Sequence, residues 1–427
     1  MQHTDDDLLL DPVRRFLAEQ CSLTALRGAL RADKPLAGGV SGGVSGGVSG
    51  PGPGPASLPS GKVAAEDAHC DGRIFAGLWS QLCELGWPGL LVGEAHGGIG
   101  LGMPQAVKVM ELAGSALLPL PLGTWMNTSA FLSEQAAHSP VSQWLDRCMH
   151  DGRLAGFAIR AGENRLFVPY CRHDRQILTL SYGEGKVRAR VADGIAGVPG
   201  IDPFIHNGWL DAPAWQIQDD FACNKASWDA FEQRSRMLLA AELLGVATRA
   251  LDIASAYARE RQQFGRPIGS FQAIKHRLAQ DWIDLDNARL LLTQAAASMA
   301  LENTGRAQVG HELPDQKVRR DAELAGHAFA ADVPDRTDLD MSGVTGTAYT
   351  AETTLMAILA EHTILQAASA AVRNALQVHG AMGMTWECDV HFYLKRAHFL
   401  CAMMNHRHTD ADRLQQVWQL SAGRMAI

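Results

Sequence analysis

Apolar residues recur at helical spacing in two long blocks of this chain, and between the blocks the pattern changes to alternation. In the first block Leu9, Leu10, Val13, Phe16, Leu17, Leu23 and Leu26 mark one or two helices within Asp6–Arg31. Phe75 to Leu85 resumes the period, and another helix starts at Pro104 and runs to about Ala116. Proline suits a first helical turn, whose N–H groups have no intrahelical partner. In the second block, helical periodicity covers about 229–260, 271–302, 350–380 and 387–403. Between the blocks, Leu166-Phe-Val-Pro-Tyr, Ile177-Leu-Thr-Leu-Ser-Tyr and Lys186-Val-Arg-Ala-Arg-Val read as strands. The order α, β, α predicts a mixed α+β, mostly α chain. It divides into an N-terminal helical domain (1–154), a small β domain (155–226) and a C-terminal helical domain (227–427).

Two stretches carry no period. Gly38-Gly-Val-Ser is repeated three times and runs into alternating Gly and Pro up to Pro55. Such a composition buries too little surface to offset its chain entropy, so 36–61 is expected to be a flexible linker. The polar segment 303–346, punctuated by Gly and Pro, is expected to be a long loop. Gly97, Gly98, Gly100 and Gly102 precede the helix at Pro104. No Lys-Ser/Thr follows them, so they suggest a tight structural turn rather than a phosphate loop.

A length of 427 residues fits about three domains. The formal charge of −8 gives no basic field for nucleic acid. No uninterrupted apolar run approaches the ~20 residues that span a bilayer. The acidic start Met-Gln-His-Thr-Asp-Asp-Asp is unlike a secretory signal, so a cytoplasmic protein is expected. Eight cysteines lie scattered with no Cys-x-x-Cys pair, and His406-Arg-His408 has no ligand partners at metal spacing, so no metal site is expected.

Candidate chemistry concentrates at a break between two of the long helical patterns. Arg259, Arg261 and Arg266 cluster there, while Gly265, Pro267 and Gly269 turn the chain before Phe271 and Gln272 restart a helix. Unpaired N–H groups and a positive dipole end suit such a corner to an anionic, phosphate-bearing group. A second motif runs from Gln377-Val-His-Gly-Ala-Met-Gly-Met-Thr-Trp-Glu-Cys-Asp to Arg396. Its glycines at 380 and 383 end a helix and let backbone approach a ligand.

Arg261-x-x-Phe264-Gly265-x-x-Ile268-x-x-x-Gln272 resembles the signature of the acyl-CoA dehydrogenase family, and the Gln377 motif resembles its second signature. Glu84-Leu-Gly-Trp-Pro-Gly-Leu and His96-Gly-Gly-Ile-Gly-Leu-Gly are similar to the family's N-terminal helical domain, and Thr385-Trp-Glu-x-Asp389 to one of its branches. The resemblance implies an N-terminal helical domain, a middle antiparallel β-barrel-like domain, here shortened, and a C-terminal four-helix bundle. It also implies FAD shared between subunits. Arg261 would pair with the pyrophosphate, Phe264 and Gln272 would line it, and Gln377, Gly380 and Ala381 would meet the adenosine end. Ala381 stands where the family has a second glycine. The implied activity is α,β-dehydrogenation of an acyl-CoA thioester to a trans-2-enoyl-CoA, with electrons passed to an electron-transfer flavoprotein, in a homo- or hetero-oligomer with a homologous subunit.

The two places where the family carries its glutamate base hold none here. One reads Ser235-Arg236, and the other, Arg396-Ala-His-Phe-Leu-Cys-Ala-Met-Met-Asn, lacks any carboxylate. Glu242 is the candidate that remains, two helical turns beyond Ser235 on nearly the same face and flanked by leucines and alanines. Apolar surroundings would raise its pKa toward a useful range. The competing reading is a structural partner of an arginine such as Arg249 or Arg289. The Gly156–Pro169 region also lacks the family's flavin-ring loop. These departures keep open a non-catalytic partner subunit that lends its C-terminal motifs to another chain's FAD, and more remotely a related flavin oxidase or monooxygenase.

Overall fold

The computed structural model describes residues 5–32, 72–135, 139–151, 159–160, 165–170, 177–192, 195–198, 200–211, 216–309, 349–407 and 415. The expected linker at 36–61 lies outside them. Among the described residues, six helices precede the strands: α1 (Asp5–Gln20), α2 (Leu23–Ala32), α3 (Gly72–Glu84), α4 (Met103–Ser115), α5 (Leu122–Glu134) and α6 (Ser139–Asp146). Four more follow: α7 (Lys225–Glu260), α8 (Gln272–Val309), α9 (Ala351–His379) and α10 (Val390–Arg407). Of the loop expected at 303–346, residues 303–309 belong instead to α8, and positions 310–348 are not described. Polar composition misled there because the far end of α8 faces solvent, with Leu301 and Asn303 exposed.

Strands β1 (Ile159–Arg160), β2 (Arg165–Pro169), β6 (Asn207–Asp211) and β5 (Ala196–Val198) form one antiparallel sheet in the order β1-β2-β6-β5. Strands β3 (Ile177–Gly183), β4 (Lys186–Ala192) and β7 (Gln216–Ala222) form a second. The β3–β4 connection is a two-residue turn with Glu184 at φ 55 and Gly185 at φ 72, the paired positive φ values that match strand twist in a tight hairpin.

α7 starts where the Asn224 side chain accepts a hydrogen bond from the Ser227 N–H at 2.7 Å, and α9 where Thr350 does the same for Thr353 at 3.3 Å. α4 crosses α7 at glycines on both helices. A Cβ at Gly114 would lie 2.0 Å from the Glu242 carbonyl oxygen, and one at Gly245 would lie 1.8 Å from that of Glu111. Only backbone meeting backbone permits this approach. Gly98 is fixed similarly, with room for a Cβ denied by the Val92 carbonyl at 2.1 Å, so the glycine-rich loop is a packing turn.

The main core joins α1, α2 and α4 to the C-terminal helices through residues such as Leu17, Met110, Leu244, Ile364 and Phe392. A smaller core seats the β3-β4-β7 sheet on α5 and α6 through Phe131, Trp144, Leu178, Val187 and Phe221. α9 is long and apolar enough to cross a membrane by length and composition, but Ala357, Ile364, Ala368 and Val372 are buried within the main core.

Candidate functional site

The arginine motif forms a two-residue hairpin at the end of α7. β8 (Gln262–Gln263) pairs with β9 (Arg266–Pro267) around Phe264 at φ 55 and Gly265 at φ 77. A bulky side chain at positive φ is strained, yet Phe264 is 92% exposed at the tip. The hairpin is pinned at its base, where the Arg261 N–H donates to Tyr257 O at 2.8 Å and Arg261 O accepts from the Ile268 N–H at 2.8 Å.

The second motif ends α9 beside it. Gly380 takes φ 62 and ψ −144, near a region that only glycine enters readily, and a Cβ there would meet nothing within 4 Å. Ala381 follows in a 3-10 turn without positive φ, so its methyl replaces glycine at no backbone cost. Tyr257 stacks on His379 with ring centroids 4.4 Å apart, which brings the two motifs to one end of the bundle. Arg261, Gln272 and Gln377 are exposed there, and their side chains make no hydrogen bond or ion pair among the described residues.

Glu242 sits elsewhere, where α4 and α7 cross. It is buried and pairs with Arg396 rather than with Arg249 or Arg289, at 3.3 Å from Arg396 Nη1. The Tyr170 hydroxyl donates to the same carboxylate at 3.4 Å. Arg396 of α10 is fully buried, and its Nε donates to Asp202. Its Nη1 donates to Leu118 O at 2.9 Å and its Nη2 to Leu117 O at 3.3 Å. Those carbonyls lie just past the end of α4, where Leu117 takes φ 53 in a left-handed position usually filled by glycine. Tyr170, at φ 56, is likewise left-handed. Backbone strain thus gathers around one buried ionic cluster. Burial pushes the Glu242 carboxyl up to about 7, against the opposing pull of Arg396 and of the Arg396 and Tyr170 hydrogen bonds. Burial also raises the Tyr170 hydroxyl well above its usual range, with Glu242 adding to the effect.

Sequence reasoning passed over Tyr170, Asp202 and Arg396 as partners. Tyr170 closes a strand pattern and Arg396 lies inside the second motif, but nothing local to Asp202 announces a contact 194 residues away. Around Ser235 the two flanking arginines are already committed. Arg234 donates to Asn127 Oδ1 at 2.9 Å and to Glu134 Oε1 at 2.6 Å, and Arg236 pairs with buried Glu361 at 3.7 Å.

Comparison with known proteins adds the decisive observation. Residues 61–143 match the family model for the acyl-CoA dehydrogenase N-terminal domain, and 230–311 match that for its C-terminal domain. Both matched segments are similar to the acyl-CoA dehydrogenase family. Acyl-CoA dehydrogenase IpdE2 of Mycolicibacterium smegmatis is 26% identical over 352 residues, which is 79% of this chain and 86% of that protein. In fold, the chain resembles the ChsE4-ChsE5 complex from Mycobacterium tuberculosis, with a TM-score of 0.61, 18% identity, and coverage of 100% of this chain and 99% of that one. It also resembles an acyl-CoA dehydrogenase complexed with FAD from Bacillus anthracis, with a TM-score of 0.65, 14% identity, and coverage of 97% and 68%.

FAD is the cofactor of this family. The exposed end of the bundle fits the phosphate and adenosine side of that group: Gly265 and Gly380 leave open space, and Arg261, Gln272 and Gln377 offer donors with no partner of their own in the described chain. Positions 152–158 and 161–164, in the region where the sequence lacks a flavin-ring loop, are not described.

Proposed function

We propose that this chain is a subunit of an FAD-dependent acyl-CoA dehydrogenase and that it completes the FAD site of a homologous, catalytic subunit. Arg261 would meet the pyrophosphate, Phe264 and Gln272 would flank it, and Gln377 with Gly380 and Ala381 would face the adenosine end. The observation that carries this reading is the side-by-side, outward-facing pair of motifs at one end of the bundle, joined by the Tyr257–His379 stack. Polar side chains left without internal partners and a strained, exposed phenylalanine are suited to a ligand held by another chain. The structural neighbour ChsE4-ChsE5 is a complex of two components, which is consistent with such an assembly.

When bound, FAD would supply the acceptor for a hydride from the β-carbon of the acyl thioester. A carboxylate must take the α-proton. Neither Ser235 nor the stretch from Arg396 to Asn405 supplies one, which favours a base on the partner. The product would be a trans-2-enoyl-CoA, with electrons leaving to an electron-transfer flavoprotein in the cytoplasm.

A second reading, favoured by the raised Glu242 pKa, makes Glu242 the base of a self-sufficient enzyme. Against it stand the Arg396 and Tyr170 contacts that already occupy the carboxylate. The two readings separate in purified protein. The first expects a colourless isolated chain that gains FAD on co-expression with a homologue, and an Arg261→Ala complex with reduced flavin content. A yellow isolated chain, bleached anaerobically by an acyl-CoA and inactive as Glu242→Gln, would establish the second.

A further inference from the structure

A cavity of about 830 Å³ lies between α1 and the bundle, apart from the sites above. Glu242 and Arg396 do not line it. One wall is a face of α1, where Leu10, Arg14, Leu17 and Ala18 recur at helical spacing. The opposite wall is formed by Leu112 and Ala116, with Lys108 and Glu111 beside them, and by Gly245 of α7. The glycine that lets α4 and α7 touch therefore also leaves its part of this wall without a side chain. The volume lies in the range of small-molecule pockets, roughly 300–1,000 Å³.

Most charged groups on the lining already have partners. Glu111 is held by Arg289 at 2.8 Å, Asp389 by Arg27 at 2.6 Å, and Arg14 by Asp11 at 2.8 Å. Arg249 is different. It is exposed, forms no ion pair among the described residues, and lies near the Tyr393 hydroxyl, which donates to Ser115 O at 3.1 Å. A guanidinium has five N–H donors, so most remain for a ligand. Arg249 also lines a second cavity of about 320 Å³ that continues along α7 to Tyr257 and His379. The chamber, lined by apolar and polar side chains together, thus opens past an arginine that has no ion pair among the described residues.

We propose that this cavity binds a single-chain amphipathic carboxylate, its hydrocarbon tail between α1 and α4 and its head group on Arg249. Arginine meets a carboxylate through two parallel hydrogen bonds, stronger than neutral ones. Asp252 lines both cavities three residues further along α7 and opposes the bound charge. That opposition makes the head-group assignment testable in both directions. A neutral or amide head would gain from Asp252, whereas a carboxylate gains from its removal.

The test is calorimetric titration of the full chain with dodecanoate below its micelle concentration, with dodecan-1-ol as the neutral probe. Dodecanoate is expected to bind more tightly than the alcohol. Arg249→Gln should weaken dodecanoate about tenfold and leave the alcohol unchanged, while Asp252→Asn should tighten dodecanoate. Ala18→Trp, which fills the chamber from an exposed helix face, should remove both ligands without altering the melting curve. Arg261→Ala should leave dodecanoate binding untouched, which separates this site from the cofactor motif. No binding to the wild-type chain, or binding that survives Ala18→Trp, overturns the site. Equal losses of acid and alcohol in Arg249→Gln, or weaker acid binding in Asp252→Asn, overturns the carboxylate assignment.

Discussion

Gly380 and Ala381 stand next to each other in one motif, yet the backbone asks different things of them. Gly380 has a positive φ with open space around it, so replacement by alanine is opposed by conformation alone. Gly380→Ala should cost about 1–3 kcal/mol in urea unfolding, whereas Ala381→Gly should change stability by well under that. The residue that departs from the family pattern is then the one that tolerates departure. Glu242 gives a second prediction. Its carboxyl is held near 7 in the folded chain against an ordinary 4.5, so the native state binds the proton more tightly than the unfolded state does. Its contribution to stability is therefore largest below pH 4.5, declines as pH rises to about 7, and is flat above that, by an amount on the order of 3 kcal/mol. Glu242→Gln should flatten that part of the profile when unfolding is compared at pH 5 and pH 7.5. An unchanged slope in the variant would show that Glu242 is not the group responsible.

At the scale of helices and strands, the crossing of α4 and α7 governs where these side chains go. A methyl at Gly245 would have to displace the Glu111 carbonyl, which is backbone within a helix and has little freedom to move. Gly245→Ala should cost roughly 3 kcal/mol or more, read as a fall in the denaturant midpoint, because the helices must part to admit it. Nothing in the sequence distinguished Gly114 or Gly245 from other helical glycines, since a close crossing depends on two segments more than 100 residues apart. The long C-terminal helices were legible to within a few residues, apart from the solvent-facing end of α8, because their apolar stripes face one core. α5 was not. Its residues from Trp125 to Leu132 are all buried, so Asn127, Thr128 and Ser129 lie inside beside Phe131, and no polar face marks the period. The hairpin at Phe264–Gly265 was read as a turn from its Gly and Pro, but its two short strands were too brief to show alternation.

Across the whole molecule, Arg396 is the point where the separate parts of the chain are tied together. From α10 it reaches Glu242 on α7, the Leu117 and Leu118 carbonyls after α4, and Asp202 in the loop before β6, while Tyr170 joins from the end of β2. Removing only the arginine leaves two carboxylates and two carbonyls buried without their donor. Arg396→Met is therefore expected to cost about 3–5 kcal/mol, more than the loss of a well-packed side chain of that size would require. The charge, rather than the volume, sets that cost. Adding Asp202→Asn and Glu242→Gln to Arg396→Met should then restore a large part of the stability, since an all-neutral cluster has no stranded ion. The loss should also be uneven. Hydrogen exchange should rise first in β2 and in the segment carrying Asp202, which meet the bundle at this cluster and at the adjoining Tyr170–Phe399 and Phe204–Phe392 ring contacts, and last in α7 and α9, whose many contacts lie within the main core. If Arg396→Met and the triple variant prove equally unstable, or if exchange rises uniformly, the cluster is ordinary packing and does not tie the β strands to the bundle.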